Sequence, residues 1–133
     1  MKSDREVANM HLTIAVAGNP NCGKSALFNR LSGIRQKTGN WPGVTVEKKE
    51  GILRNGEREV SIVDLPGIYS LSAHSEDEKV ARDFLLKGNP DLVVNIIDST
   101  NLERSLYLTT QLLEMGVPLM VILNRKDLAR RRG

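Results

Sequence analysis

Residues 18–25 read Gly18-Asn19-Pro20-Asn21-Cys22-Gly23-Lys24-Ser25, the pattern G-x-x-x-x-G-K-[ST] that wraps a phosphate in backbone N–H groups. Gly18 and Gly23 permit dihedrals and a close approach that a side chain blocks. Residues 11–17 before the loop are apolar and partly β-branched, and read as a buried strand. Residues 24–31 after it read as a helix closed by Gly33. That helix adds its N-terminal partial positive charge to the phosphate site. Lys24 is placed to reach the β and γ phosphates, and the Ser25 hydroxyl to ligate Mg²⁺. Cys22 sits near the helix N-terminus, which lowers a thiol pKa; its other reading is a small residue at a permissive position.

Outward from this loop the segments alternate in type. Residues 34–43, rich in glycine and polar groups around Trp41 and Pro42, read as a loop. Residues 44–53 and 59–63 read as strands flanking Asn55-Gly56, a strong hairpin signal. Ser75-Glu76-Asp77-Glu78 has the form of a capping box and opens a helix that stops at Gly88. Residues 91–97 read as a strand, and residues 101–115 as a helix with Leu102, Leu106 and Leu113 on one side, ended by Gly116. Residues 118–123 read as a last strand. Strands and helices alternating through crossover-length segments predict an α/β domain. The expected sheet is mostly parallel, with the hairpin as one antiparallel edge.

A length of 133 residues, 40% hydrophobic and 26% charged, suits one globular domain. The formal net charge of +3 is carried by the terminal Arg130, Arg131 and Arg132, so it marks a tail and gives no case for nucleic acid. That tail can touch acidic lipid headgroups or be a solvated chain end. The single Cys22 excludes an intramolecular disulfide, and His11 and His74 stand apart from any ligand-spaced cluster. The apolar run 119–123 is far shorter than the roughly 20 residues of a membrane span, and the opening MKSDREVANM lacks the apolar core of a secretory signal. These features predict a cytoplasmic-type chain or a soluble piece of a larger one. The expected organisation is a flexible leader at 1–10, one domain at 11–129 and a basic tail at 130–133.

Two further motifs bear on the nucleotide. Asp64-Leu65-Pro66-Gly67 follows a strand; such an Asp can hold Mg²⁺ through water, and the Gly67 N–H can meet a γ-phosphate. Alone it is a weak signal that also reads as a Pro-Gly turn. Asn124-Arg125-Lys126-Asp127 follows the last strand. A carboxylate there accepts from guanine N1–H and its exocyclic amine, a pair adenine does not offer. Alone it reads equally as a helix cap. All three in this order, at strand ends on one edge of a parallel sheet, point to a guanine nucleotide.

The combination resembles the translation-factor-related class of GTPases, although Arg125 holds a place that class usually gives to lysine. Three further stretches narrow the resemblance: residues 37–47 (KTGNWPGVTVE), 63–71 (VDLPGIYSL) and 98–104 (DSTNLER). With residues 18–25 they are similar to the N-terminal G domain of the bacterial ferrous iron transport protein B family, over about residues 11–127. The resemblance implies a three-layer P-loop GTPase fold. It implies a Mg²⁺-dependent, slowly hydrolysing GTP/GDP switch, at the cytoplasmic face of the inner membrane beside helical regulatory and membrane domains. It assigns nucleotide contacts to residues 18–25, Gly43, Val44, Thr45, Val46, Asp64, Leu65, Pro66, Gly67 and residues 124–127, with Lys24, Thr45, Gly67 and Asn21 catalytic. Ser25, Thr45 and Asp64 are its Mg²⁺ set. Asn21, with the backbone carbonyls of Gly39 and Trp41, is its K⁺ set. Read without the resemblance, Asn21 is a turn residue, and Trp41 a partly buried aromatic or partner contact.

Ile68 follows Gly67, where Ras-like enzymes place a water-orienting glutamine, so switch backbone groups must position the water. The family's domain continues past the N-x-x-D motif with another strand, a guanine-contacting loop and a helix, which are absent from this chain. The expected results are a weaker guanine pocket and an apolar edge at 118–123 that invites self-association. A second reading is a nucleotide-binding regulatory module with negligible hydrolysis. A third, a ribosome- or tRNA-associated GTPase, is disfavoured by residues 40–47 and by the lack of a basic face.

Overall fold

In the computed structural model, residues 11–32 and 35–124 are described, with nothing said of the side chains of residues 31, 32, 35 and 55. The predicted leader, Gly33, Arg125, Lys126, Asp127 and the basic tail lie outside the described residues. The elements in chain order are β1 (His11–Gly18), α1 (Lys24–Ser32), β2 (Arg35–Asn40), β3 (Glu47–Asn55), β4 (Arg58–Asp64), α2 (Glu76–Lys87), β5 (Leu92–Asp98), α3 (Leu102–Met115) and β6 (Leu119–Asn124). A single 3₁₀ turn, Ser99–Asn101, leads into α3.

One six-stranded sheet has the order β2-β3-β4-β1-β5-β6. β1 runs parallel to β4 and β5, and β6 parallel to β5; β3 is antiparallel to β4, and β2 to β3. The alternation of side chains along β1 divides the core. Ala15 and Ala17 join Val63, Val93, Ala81, Leu85, Leu108 and Leu112 on the face covered by α2 and α3. Val16 joins Ile62, Val94, Ile96 and Phe28 on the face covered by α1. Three layers result, as the resemblance implies. With β1 central, its C-terminal end delivers the Gly18 loop between the ends of β4 and β5.

The capping signals act locally. The Ser75 hydroxyl accepts from the Glu78 N–H at 3.1 Å, while a Glu78 carboxylate oxygen accepts from the His74 N–H at 3.0 Å. Gly116 ends α3 in the left-handed region at φ 75°, and Gly56 opens the β3–β4 turn at φ 68°.

Two expectations fail. The predicted loop 34–43 contains β2, six residues paired with β3 from Arg35 opposite Ile52 to Asn40 opposite Glu47. β3 correspondingly starts at Glu47, later than expected. On α3, Leu102, Leu106 and Leu113 are 46%, 42% and 62% exposed. The buried face is instead Ser105, Leu108, Thr109 and Leu112. Its polar members are paired: Thr109 Oγ1 donates to Asn95 Oδ1 at 2.5 Å and Ser105 Oγ to the Asn101 carbonyl at 2.9 Å. Hydrogen bonding lets this helix bury hydroxyls and leave leucines outside.

Candidate functional site

The chain leaves β1 at Gly18 and turns through residues 19–23, with Asn21 at φ 63° and Gly23 at φ 93°. The Cys22 N–H donates to the Asn19 carbonyl at 3.3 Å. Cys22 points inward, and a Cβ on Gly18 would stand 2.6 Å from its Sγ. The thiol is buried, and burial pushes its pKa above the ordinary value. The lowered-pKa reading of Cys22 is therefore corrected: it is a small buried residue under the loop, and desolvation outweighs the helix terminus.

The other motifs are brought onto this loop. The Lys24 ammonium donates to the Asp64 carboxylate at 2.5 Å, with both residues buried. The Asn19 side-chain amide donates to the Ile68 carbonyl at 2.8 Å, and the Ile68 N–H to the Gly18 carbonyl at 3.0 Å. A Cβ on Gly67 would lie 2.9 Å from Pro20 Cα, so only glycine allows this approach. From the far side, Asn124 Nδ2 donates to the Cys22 carbonyl at 2.8 Å and fills the space a Cβ on Gly23 would need. Ser99 Oγ in turn holds the Asn124 carbonyl at 3.1 Å. Residues 18–25, residues 64–67 and Asn124 thus converge at one end of the sheet.

A cleft of about 710 Å³ opens over the loop, lined among others by Asn21, Lys24, Ser25, Gly67 and Asp77. A smaller hollow of about 270 Å³ shares Lys24, Gly67 and Asp77, and adds Val46, Asp64, Leu65 and Pro66. The exposed Ser25 hydroxyl and the Asp64 carboxylate are hard oxygen donors of the type Mg²⁺ takes, and so fit that ion.

The segment 39–45 is placed elsewhere. Thr45 directs its N–H and hydroxyl to Glu76 Oε1, each at 3.4 Å. Val44 packs against the core cluster, and Gly43 turns at φ 75°. Gly39 lies in β2 opposite Lys48. Trp41 is buried at 7% exposure against Phe84, and neither Gly39 nor Trp41 lines the cleft that holds Asn21.

Asp77 at the cleft, Glu76 on Thr45 and the Asn124 bond to Cys22 were not expected. The acids at 76–78 carry a helix-start signal only; nothing in their spacing says that α2 begins beside the phosphate loop.

Comparison with known proteins agrees with this geometry. The profile of the ferrous iron transport protein B family matches residues 12–133. The Fe(2+) transporter FeoB of Shigella flexneri is 52% identical over 126 residues, covering 92% of this chain. The chain spans only 16% of that relative's length. The crystal structure of the T. maritima FeoB G domain is similar with a TM-score of 0.83 and 48% identity, over 92% of this chain and 77% of that one. A GDP-bound variant of the S. thermophilus FeoB G domain gives a TM-score of 0.82 and 53% identity, over 92% and 46%. The chain belongs to the ferrous iron transport protein B family and has the P-loop GTPase fold of that family's G domain.

Proposed function

We propose that this domain binds GTP and GDP at the loop 18–25 and hydrolyses GTP slowly, as the nucleotide switch of a ferrous iron transporter. The observation that carries the reading is the meeting of two motifs and the first residue of a third: Lys24 on Asp64, Gly67 against Pro20, and Asn124 on the Cys22 carbonyl. The relatives named as an Fe(2+) transporter and as GDP-bound G domains support the substrate and the setting. On this reading residues 11–129 form the working domain beside helical regulatory and membrane domains, at the cytoplasmic face of the membrane. Among the described residues no helix is long and apolar enough to cross a membrane.

Backbone N–H groups of residues 21–25 cradle the β-phosphate at the start of α1. Lys24 exchanges Asp64 for phosphate oxygens. Ser25, Asp64 and, after a movement, Thr45 would hold Mg²⁺, which would supply positive charge beside the phosphates. The Gly67 N–H meets the γ-phosphate, and Val46, Leu65 and Pro66 wall that end of the site. Gly43 and Val44 approach the nucleotide with Thr45. Asn124, Arg125, Lys126 and Asp127 hold guanine. Asn21 lines the cleft, and only after the segment 39–45 moved to it would the carbonyls of Gly39 and Trp41 join Asn21 in holding K⁺, which would add positive charge where other GTPases use an arginine. Ile68 is buried and bonded to the phosphate loop on both its N–H and its carbonyl, so its side chain orients no water. Slow intrinsic turnover follows.

Single-turnover phosphate release tests this reading, with GTP against ATP and with potassium against sodium. The expected result is release from GTP only, faster in potassium. Equal rates in the two salts remove K⁺ from the site, and release from ATP removes the guanine assignment. The hold of Glu76 on Thr45 favours a second reading, binding with negligible hydrolysis; GTP that binds and persists would select it.

A further inference from the structure

A second hollow, of about 360 Å³, adjoins the phosphate cleft. The two share Gly23 and Ala26, so the space over the loop continues past α1 toward the end of β6. Its lining changes character on the way. The cleft presents Asn21, Lys24, Ser25 and Asp77, whereas Leu27, Ile96, Ile122 and Leu123 wall the hollow. Among the described residues, the polar side chains lining the hollow are Asn124 and Arg30. A polar trough that opens into an apolar slot suits a nucleotide, whose charged end and flat base need opposite surroundings.

Arg30 lies one turn past Ala26 on the same side of α1, and helical side chains lean toward the N-terminus, here toward the loop. Among the described residues no acid, carbonyl or aromatic ring engages its guanidinium. A cation in the last turn of α1 favours the helix dipole, but that role needs charge alone and no hollow. Guanine offers such a group more. In the proposed site Asp127 accepts from N1–H and the 2-amino group, which leaves the acceptors O6 and N7. Asn124 Nδ2 already donates to the Cys22 carbonyl at 2.8 Å. A guanidinium donates to O6 and N7 together, the bidentate pairing by which arginine reads guanine in DNA. Adenine carries an amino donor where guanine has O6, so the same arginine meets N–H with N–H.

We propose that the hollow between α1 and β6 takes the nucleobase and that Arg30 reads it, donating to guanine O6 and N7. This rests on the guanine-nucleotide reading of the cleft. Leu27, Ile96 and Ile122 wall the rings and keep water from the Arg30 contact. Discrimination then comes from both sides of the base. An adenine nucleotide loses the Asp127 pair and also faces the Arg30 donors with a donor of its own.

Competition against fluorescent GDP tests the contact with analogues altered at one position. 7-Deaza-GDP replaces N7 by C–H; IDP lacks the 2-amino group and keeps O6 and N7. The wild type should bind GDP several-fold more tightly than 7-deaza-GDP. Arg30→Leu should bind the two equally, while its preference for GDP over IDP, which reports Asp127, stays as in the wild type. Arg30→Lys keeps the charge at the helix end but not the planar fork, and should fall between the two. Circular dichroism checks folding, and the lysine variant decides alone if the leucine variant does not fold. An Arg30→Leu variant that still prefers GDP over 7-deaza-GDP, or an Arg30→Lys variant identical to the wild type, overturns the assignment and leaves the guanine site standing. A wild type that binds GDP and 7-deaza-GDP equally does the same. A wild type that binds no guanine nucleotide overturns both readings.

Discussion

At the residue scale, close packing at glycine and at one cysteine defines the phosphate loop. Gly23 combines φ 93° with the Asn124 amide in the place of a Cβ. Gly23→Ala therefore carries both backbone strain and a collision. It should cost about 1–3 kcal/mol in urea unfolding and loosen nucleotide binding; unchanged binding and midpoint would contradict the packing of Asn124 on the loop. Cys22 tests the interior of the same loop. Its raised pKa and burial predict that iodoacetamide leaves the folded chain unmodified at neutral pH and reacts once urea unfolds it. The sign follows from linkage: the unfolded thiol ionises at lower pH than the folded one. The contribution is therefore intact at neutral pH, and stability falls as pH rises through the alkaline thiol range. The loop's glycines and lysine were legible in the sequence because phosphate chemistry dictates them at fixed spacing. Glu76 on Thr45 was not, because the two lie 31 residues apart and only the docking of α2 joins them.

At the element scale, periodicity located helices better than it located their buried faces. α3 is where expected, yet its exposed leucines gave the wrong stripe. Thr109 and Ser105 occupy the buried side because Asn95 and the Asn101 carbonyl satisfy them. Paired substitutions separate the two readings. Leu112→Ala, at 0% exposure, should cost about 2–5 kcal/mol. Leu113→Ala, at 62% exposure, should change stability by about 0.5 kcal/mol or less. Urea midpoints measure both, and a Leu113 variant as unstable as the Leu112 one would restore the expected stripe. β2 escaped sequence reading for the opposite reason. Polar residues and a glycine signal a loop, while the strand depends on pairing with β3 and on the burial of Trp41, neither of which is local.

At the scale of the whole molecule, sheet order explains why motifs spread over more than 100 residues act together. β1 is central, β4 and β5 flank it in parallel, and β6 continues the same direction, so Gly18, Asp64 and Asn124 all emerge at one end. That convergence was predictable from strand–helix alternation, since strands that run parallel bring their C-terminal ends to the same end of the sheet. β6 is the last strand of the described sheet, with Met120, Val121 and Leu123 exposed. The guanine-nucleotide site proposed at this end of the sheet is built on Lys24. Its most direct test is a titration of fluorescent GDP into the wild-type chain and the Lys24→Ala variant, with unlabelled GDP and ADP as competitors and circular dichroism as the folding control. Saturable binding by the wild type is expected, with displacement by GDP and not by ADP, and no binding by a folded Lys24→Ala variant. Micromolar binding retained without Lys24, or equal displacement by ADP, would contradict it.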